Sequence, residues 1–521
     1  MRFLKSGRVV ISTAVFFLLT LVFLDPYHIV PVIVLDVLTV LQAGPSLIKI
    51  GSGFYPGLIA LAGIIAVTLL WGRIYCSTLC PLGTFQDIIN RIPQWINRRN
   101  KRRFLFQKPF AAVQYGIAGL SVIGVFIGSI FLVNLLEPFS NYGRSINAIG
   151  NPLIISINNL AASTAIRWGY FGISQLAFRQ FDAFALVMPV LFLLFVGVLT
   201  YKKGRLFCTM MCPVGGILSI LSRMSFYKIS IIPGQCKDCG LCEKICKARC
   251  IDAKNHTIEF SACIGCMNCI DACPTGGVQY IFKRREQEPA GTPQGEDKSR
   301  RKFLGSLALI PALRLVDRAK SDQTADTLSR YAQAKRKPIA PPGAISTKHF
   351  TRTCTACHLC VSECPTQVLY PAGFEYGLSG FFQPKMNYSA AYCNYDCTVC
   401  GEVCPTGALR KLEKPEKKLT QIGKAEFQKD DCIVITKKKD CGACSEHCPT
   451  KAVRMVPYEN RFLPEVHSEY CIGCGACEHA CPVSPEKAIF VAANEFQEMA
   501  QKPVQEIVPK SAQQQLQDFP F

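Results

Sequence analysis

The chain has 521 residues, enough for more than one domain, and it combines a formal net charge of +21 with a mean hydropathy of +0.21. This combination means that apolar and charged residues are segregated along the sequence. Lysines and arginines stand at the ends of apolar segments, where the positive-inside rule places them, so the basic excess does not indicate nucleic-acid binding.

Apolar segments near the start of the chain predict an α-helical membrane bundle of about four spans. The predicted spans are Val9–Leu24, Phe54–Trp71, Phe110–Leu136 and Phe184–Tyr201. The third is long enough to cross a membrane with tilt as one helix, and basic residues before the first predict a cytoplasmic N-terminus. Ile29–Leu41, which contains Pro31, is predicted to be interfacial or re-entrant, with a fifth span as the alternative. Pro152–Phe178 is expected to lie on the outer side.

Two of these spans are followed by the same block, G-R-[IL]-[YF]-C-x3-C-P-[LV]-G, at Gly72–Gly83 and Gly204–Gly215. The cysteines of the two blocks are Cys76, Cys80, Cys208 and Cys212. Both blocks fall where a span meets the cytoplasmic face, so the four thiols are predicted to lie within reach of one another. They can hold an additional iron–sulfur cluster. The alternatives are two redox-active dithiols, a structural seam between two halves of the bundle, or ligation by each i, i+4 pair alone.

The segment after the last span carries the C-x2-C-x2-C-x3-C spacing of bacterial ferredoxins twice. The motif residues are Cys236, Cys239, Cys242 and Cys246, then Cys263, Cys266, Cys269 and Cys273. Because each cube takes its fourth ligand from the other motif, two [4Fe–4S] clusters are predicted, completed by Cys273 and Cys246 respectively. The regular third cysteine argues against zinc and against a disulfide framework. Gly240 and Gly265 are expected to form tight turns, and Cys250 is expected to be a buried spare thiol.

A polar linker follows and contains the sequence SRRKFLG at Ser299–Gly305, before the short apolar stretch Ser306–Leu313. It resembles a twin-arginine export signal, although such signals normally begin a chain. Export would place the next cysteine-rich segment in the periplasm. A juxtamembrane amphipathic helix with basic flanks is the alternative.

The second cysteine-rich segment contains four motifs that each end in Cys-Pro. In chain order they are Cys354/Cys357/Cys360/Cys364, Cys393/Cys397/Cys400/Cys404, Cys432/Cys441/Cys444/Cys448 and Cys471/Cys474/Cys477/Cys481. The outer motifs are regular and the inner pair is irregular, which favours one ferredoxin inserted into another. In that nested pairing, the last cysteine of each outer motif ligates the cluster of the other outer motif. The last cysteine of each inner motif likewise ligates the cluster of the other inner motif. Pairing of consecutive motifs is the alternative, and both schemes bring the total to six [4Fe–4S] clusters.

The histidines are less informative. His28 lies near Asp25 and Asp36 after the first span and could take a proton from a quinol, with a capping or structural role as the alternative. Other histidines in or near cluster motifs are expected to be exposed loop residues, namely His349, His358, His447 and His479. The sequence shows no nucleophile–base pair or nucleotide fingerprint, so no catalytic residue is assigned and the chemistry is expected to belong to cofactors.

These features predict a helical membrane bundle plus two α+β bacterial-ferredoxin-like domains carrying [4Fe–4S] clusters. The expected segments are a membrane domain (1–224), a cytoplasmic two-cluster ferredoxin domain (225–285), a linker with the export-like signal (286–347), an exported four-cluster ferredoxin domain (348–495) and a polar tail (496–521).

The order of these motifs resembles a known respiratory system. Residues up to about 285 look like NapH-type membrane proteins, whose core also occurs in the NosR and CcoG types, and residues from about 299 to 495 look like NapG- or MauM-type proteins. These two parts are usually separate polypeptides, so the chain resembles their fusion.

The resemblance implies a multi-pass protein of the bacterial inner membrane that oxidises quinol from the quinone pool. Electrons would then pass to a periplasmic reductase or multihaem cytochrome. The chain would be an oxidoreductase component or a pure electron carrier. Alternatives are an accessory protein that reduces a metal or thiol during maturation of another enzyme, and a redox-sensing regulator.

Overall fold

The computed structural model describes residues 2–25, 27, 29–50, 55–96, 104–178, 183–282 and 330–502. His28, the export-like block Ser299–Gly305 and the apolar stretch Ser306–Leu313 lie outside the described residues. The described ranges form a helical bundle, a first ferredoxin unit (227–282) and a second ferredoxin unit (330–502).

Helices make up the bundle. They are α1 (Arg2–Phe23), α2 (Val32–Val40), α3 (Ala43–Ile50), α4 (Tyr55–Trp71), α5 (Tyr75–Thr78), α6 (Pro81–Ile96), α7 (Ala111–Ile127), α8 (Phe131–Leu136), α9 (Pro138–Ser145), α10 (Asn151–Arg167), α11 (Ala183–Lys203) and α12 (Pro213–Arg223). Two π-helical turns, Ile146–Gly150 and Phe207–Met211, follow α9 and precede α12. Apolar side chains such as Ile59, Leu160 and Leu194 are exposed on the outside of the bundle, which suits contact with lipid.

Two helices are long and apolar enough to cross a membrane, Leu4–Phe23 within α1 and Ala183–Lys203. The helices α2 and α3 meet at 92°, as in a broken span or a re-entrant loop, so both sequence alternatives for this segment remain. The apolar helices α4 and α7 are shorter. The prediction of one helix over Phe110–Leu136 is wrong, because Gly128 adopts a φ of 87° and ends α7 with a left-handed cap.

The first ferredoxin unit is built on two antiparallel strand pairs. The strand β1 (Tyr227–Ile231) pairs with β4 (Val278–Phe282), and β2 (Ile251–Asp252) pairs with β3 (Thr257–Ile258). Short helices α13 (Leu241–Ile245) and α14 (Asn268–Ala272) follow the two cysteine loops. The predicted tight turns are confirmed, since Gly240 and Gly265 have φ values of 64° and 61°.

The second ferredoxin unit repeats this construction. Its antiparallel pairs are β5 (Leu369–Pro371) with β6 (Pro384–Met386), β7 (Thr420–Phe427) with β10 (Ile489–Met499), and β8 (Val453–Tyr458) with β9 (Arg461–Val466). Its helices are Arg330–Arg336, Thr347–Thr353, Leu359–Ser362, Val399–Glu402, Lys414–Lys417, Ile433–Thr436, Ala443–Glu446 and Ala476–Ala480. Tyr331 packs on Phe490 with ring centroids 5.6 Å apart, and β10 continues to Met499. The packed unit therefore extends beyond the expected limits of 348 and 495 on both sides.

The two ferredoxin units contact opposite ends of α1. Near the start of this helix, Lys5 forms an ion pair with Asp271 of the first unit at 2.6 Å. At its other end, Phe23 is buried in one hydrophobic cluster with Phe350 and Cys357 of the second unit. Lys5 and Phe23 are separated by about 27 Å along an α-helix, which is close to the thickness of a bilayer core.

Polar and aromatic contacts hold the second unit against the bundle. Phe184 at the start of α11 stacks on Phe382 with ring centroids 5.1 Å apart, and Phe131 meets Phe381 edge to face. The side chain of Gln367 donates to the carbonyl of Ala177 at 2.9 Å. The second unit therefore contacts the end of the bundle at which α1 ends.

Candidate iron–sulfur centres

All 29 cysteines lie within the described residues, and each has a free thiol. A tetrahedral zinc ion with bonds of about 2.3 Å needs sulfurs about 3.8 Å apart. Among the described residues, only Cys236, Asp238 and His256 bring three ligand atoms within 4.8 Å of one another. Within the described residues, no group of four cysteines therefore brings its sulfurs as close together as a single zinc ion requires.

The first ferredoxin unit contains two such groups, which we name site I (Cys236, Cys239, Cys242 and Cys273) and site II (Cys246, Cys263, Cys266 and Cys269). Burial raises the pKa of Cys269, and repulsion from the other three thiols of site II raises it further. In site I, Thr275 lies 3.6 Å from the Cys273 sulfur and donates to the Gln235 carbonyl at 2.7 Å, which puts Cys273 beside Cys236. The motifs thus approach each other as the ferredoxin spacing predicts.

Cys250 lies against site II and is only 1 % exposed. Its sulfur is 3.5 Å from that of Cys246, and it also forms a hydrogen bond with Cys263. The hydrogen bond lowers the pKa of Cys246 to about 7 and raises that of Cys250. Cys250 is buried as predicted, and its thiol lies within hydrogen-bonding distance of the site II thiols of Cys246 and Cys263.

The two C-x3-C-P blocks pack against each other through reciprocal arginine contacts. Arg73 Nη2 donates to the carbonyl of Cys208, and Arg205 Nη1 donates to the carbonyl of Cys76, both at 2.7 Å. Both arginine side chains are completely buried. Each block therefore stabilises the backbone at the first cysteine of the other.

A glycine in each block allows the chain to fold back on its own first cysteine. A Cβ atom on Gly83 would lie 2.3 Å from the carbonyl oxygen of Cys76. A Cβ atom on Gly215 would lie at the same 2.3 Å from that of Cys208. No side chain is accommodated at that distance, which explains why both copies of the block end in glycine.

The four thiols of the two blocks form one group, site III (Cys76, Cys80, Cys208 and Cys212), and each is 4 to 6 % exposed. Burial raises the pKa of Cys80, and repulsion from the other three thiols raises it further. A cationic metal centre would relieve this repulsion and stabilise the thiolates. The arrangement thus suits one shared centre, whereas two independent dithiols would not require all four thiols to converge.

A buried charged group connects site III with the first ferredoxin unit. Asp87 on α6 accepts hydrogen bonds from Lys247 at 3.0 Å, Arg205 at 3.1 Å and Arg8 at 3.4 Å. Although burial opposes ionisation, these cations hold the pKa of Asp87 well below its usual range. Lys247 directly follows Cys246 of site II, so Asp87 fixes sites II and III relative to each other.

The second ferredoxin unit pairs consecutive motifs, and the prediction of nested motifs is wrong. Burial raises the pKa of Cys357 to about 12, with repulsion from Cys404 contributing. Burial likewise raises the pKa of Cys393 to about 11, with repulsion from Cys364 contributing. The first two motifs therefore exchange their last cysteines and define site IV (Cys354, Cys357, Cys360 and Cys404) and site V (Cys364, Cys393, Cys397 and Cys400).

The last two motifs make the same exchange. Burial raises the pKa of Cys474 to about 12, with Cys393, Cys471 and Cys448 contributing repulsion. The pKa of Cys432 is raised by burial and by repulsion from Cys441 and Cys481. These groups are site VI (Cys448, Cys471, Cys474 and Cys477) and site VII (Cys432, Cys441, Cys444 and Cys481). The irregular spacing of the inner motifs thus reflects loop length and not a nested topology.

The seven sites follow one another in space from I to VII. In four places, thiols of neighbouring sites lie close enough for their charges to interact: Cys242 with Cys269, Cys360 with Cys400, Cys393 with Cys474, and Cys444 with Cys477. In the other two places, a charged side chain interacts with thiols of both sites. Arg205 interacts with Cys266 and Cys208, and Glu137 interacts with Cys212 and Cys357. The series therefore extends from the first ferredoxin unit through the bundle to the far end of the second.

Sequence reasoning missed three buried residues near this series. Glu137 and Arg144 are 1 % and 2 % exposed, and His358, which was expected to be an exposed loop residue, is 4 % exposed. His358 Nε2 lies 2.8 Å from the carbonyl of Phe382. A signal was present for the first two, because they are the only charged residues between Pro109 and Ile166. Charged residues in such apolar surroundings commonly mark functional sites.

Comparison with protein families supports cluster binding along most of this series. Residues 54–103 and 184–231, which include both C-x3-C-P blocks, match a 4Fe-4S binding domain. Residues 353–408 and 439–484 match a 4Fe-4S dicluster domain, and residues 256–279 match another 4Fe-4S binding domain. The fold and the cysteine sites together define an iron–sulfur protein that carries electrons.

Curated relatives show its family. The ferredoxin-type protein NapG of Escherichia coli is 32 % identical over 161 residues, or 29 % of this chain and 68 % of NapG. The methylamine utilization ferredoxin-type protein MauM of Methylobacillus flagellatus is 31 % identical over 176 residues, or 30 % of this chain and 69 % of MauM. The putative electron transport protein YccM of Escherichia coli is 23 % identical over 228 residues, or 42 % of this chain and 53 % of YccM. No solved structure matches the chain. The chain belongs to the family of ferredoxin-type electron-transport proteins that includes NapG and MauM.

Proposed function

We propose that this protein is a quinol dehydrogenase module that passes electrons from the quinol pool to a periplasmic reductase or multihaem cytochrome. The observation that carries the proposal is the continuous series of sites I to VII, which begins at one end of α1 and continues past the other. Six [4Fe–4S] clusters at the ferredoxin sites and one at site III would make this series a path for single electrons.

We further propose that the chain is a multi-pass protein of the bacterial inner membrane and joins a NapH-type part to a NapG- or MauM-type part. The contacts of the two ferredoxin units with opposite ends of α1 support this topology. In it the first unit is cytoplasmic and the second periplasmic, and the export-like block Ser299–Gly305 lies between them. Fusion would keep the two parts at a high effective concentration.

Quinol oxidation is tested with protein purified under anaerobic conditions. A reduced quinol analogue is expected to bleach the visible absorption of the clusters and to produce the electron paramagnetic resonance signals of reduced [4Fe–4S] centres. Addition of a multihaem cytochrome is then expected to restore the oxidised spectrum. If quinol leaves every cluster oxidised, the quinol dehydrogenase proposal fails and the role in enzyme maturation becomes the better one.

Topology is tested with a reporter fused after Lys502, the last described residue. A reporter that is active only in the periplasm is expected to be active in the parent chain and inactive in the Arg300→Lys/Arg301→Lys variant. A cytoplasmic reporter that is active at the same position in the parent chain would contradict export of the second unit.

A further inference from the structure

A cavity of about 760 Å³ lies where the second ferredoxin unit meets the bundle. It is lined by the end of α1, the start of α11, residues 144–155 and residues 358–371. Most of the lining side chains are apolar, as Phe23, Ile155 and Leu186 are. Small-molecule sites have volumes of about 300–1,000 Å³ and mainly apolar walls with a few polar groups. The cavity has the dimensions and character of such a site.

Arg144 is among the residues that line the cavity, and it is a buried cation with unused hydrogen-bonding capacity. Arg144 Nη2 donates to the carbonyl of Asn134 and to Asn141 Oδ1, the latter at 2.8 Å. Within the described part of the chain, Arg144 Nη1 is buried and has no hydrogen-bond partner. An N–H group left unpaired in this way is destabilising unless a ligand atom accepts its hydrogen bond. The geometry therefore favours a ligand that carries an oxygen atom.

Redox centres adjoin the same cavity. Cys364 of site V contributes to its lining, and Arg144 lies close enough to Cys354 and Cys357 of site IV to interact with their charges. Asp25, at the end of α1, contributes a carboxylate to the wall. A ligand that binds to Arg144 would therefore be placed between two clusters and near a proton acceptor.

We propose that this cavity binds the head group of an isoprenoid quinol, with one of its oxygens accepting a hydrogen bond from Arg144 Nη1. This inference rests on the proposed quinol dehydrogenase function and gives it a location. The ring packs on the apolar lining, and the tail leaves between α10 and α11, whose outer surfaces are apolar. Oxidation breaks the two O–H bonds and yields the quinone. The two electrons would pass to [4Fe–4S] clusters held by the cysteines of sites IV and V, and the two protons would leave in turn through Asp25 to water.

The test uses the full-length protein in detergent and the fluorescent quinol analogue 2-heptyl-4-hydroxyquinoline N-oxide as the probe. Ala148 lines the cavity, so Ala148→Phe fills part of it. Exposed Ala161 on α10 lies outside the lining, so Ala161→Phe is the matched control. Arg144→Gln removes the donor, and Arg144→Lys tests whether a cation alone is sufficient. Iron content is measured for each variant to show that the clusters are retained.

Ala148→Phe is expected to weaken probe binding at least tenfold, because its ring occupies part of the cavity. Arg144→Gln is also expected to weaken binding at least tenfold, because one hydrogen bond to a charged group is lost. The control Ala161→Phe is expected to bind as the parent does. If quinol reduces the parent clusters and Ala148→Phe retains full probe affinity, the cavity assignment is overturned while the proposed function stands. If quinol fails to reduce the parent clusters, the proposed function itself is overturned. Should Arg144→Gln lose iron, Ala148→Phe still decides the assignment.

Discussion

Replacement of Cys250 by alanine would remove a hydrogen-bond donor from site II without removing a predicted ligand. The Cys250 sulfur lies 3.5 Å from that of Cys246, and its proton stabilises the thiolate charge. Reduction of a cluster adds negative charge, so this hydrogen bond favours the reduced state and raises the midpoint potential. Cys250→Ala is therefore expected to lower the potential of the site II cluster.

The size of the shift follows from the strength of one hydrogen bond. A net hydrogen bond contributes about 0.5–1.5 kcal/mol, and a one-electron potential changes by about 59 mV for each 1.4 kcal/mol, so the expected decrease is about 20–60 mV. The lower half of this range is expected because a thiol is a weak donor. A single proton can serve only one sulfur at a time, so the contacts with Cys246 and Cys263 do not add.

The measurement is a redox titration followed by electron paramagnetic resonance, with iron content determined on the same samples. Cys250→Ser is the matched control, because its hydroxyl keeps a donor of similar size and should hold the potential near that of the parent. Equal potentials in the parent and both variants would refute the reasoning. Loss of four iron atoms in Cys250→Ala would show instead that this thiol is a ligand.

Further predictions concern pairing, packing and charge. Cys404→Ser and Cys357→Ser should alter the same electron paramagnetic resonance signal, whereas different signals would support the nested pairing. Gly215→Ala should lower the iron content by about one cluster of four irons, because a methyl group would overlap a backbone carbonyl, whereas Gly116→Ala on α7 has open space and should not. Asp87→Asn should destabilise the protein by about 3–5 kcal/mol in thermal unfolding, because it leaves buried cations without their partner. The pKa of Asp87 is lower in the folded protein than in the unfolded chain, where it is about 3.9. The contribution of Asp87 to the free energy of unfolding should therefore be constant above that pH and decline only as the pH falls below it. A decline between pH 5 and pH 8 that Asp87→Asn abolishes would contradict this assignment.

Local spacing was sufficient to predict the cysteine groups of the first ferredoxin unit, because the ligands of one tight turn are neighbours in sequence. It was not sufficient for the second unit, where the fourth ligand depends on which motifs are adjacent in space. Motif regularity suggested that Cys364 and Cys481 each complete the cluster of the other outer motif. In the structure, however, Cys364 lines one small pocket with Cys393, Cys397 and Cys400, and Cys404 lies close enough to Cys357 to interact with its charge. The pairing depends on how β5 to β10 pack, which spacing does not specify.

Hydropathy identified the apolar segments of the chain, but it did not show where the helices within them end. It identified the apolar helices α1 and α11, which are long enough to span a membrane. It did not show that Gly128 ends α7, because a glycine within an apolar stretch is compatible with either a helix or a left-handed cap.

The sequence by itself indicated an iron–sulfur electron carrier, since cysteine spacing and apolar segments are local properties that can be recognised without knowledge of the fold. It also showed the repeated C-x3-C-P block but left open what its four thiols do together. Only the tertiary structure brought those thiols into one site and placed Glu137 between them and the second ferredoxin unit. It also placed Arg144 at the wall of a cavity. These arrangements join residues that are far apart in the chain, and they depend on long-range packing that no local pattern encodes.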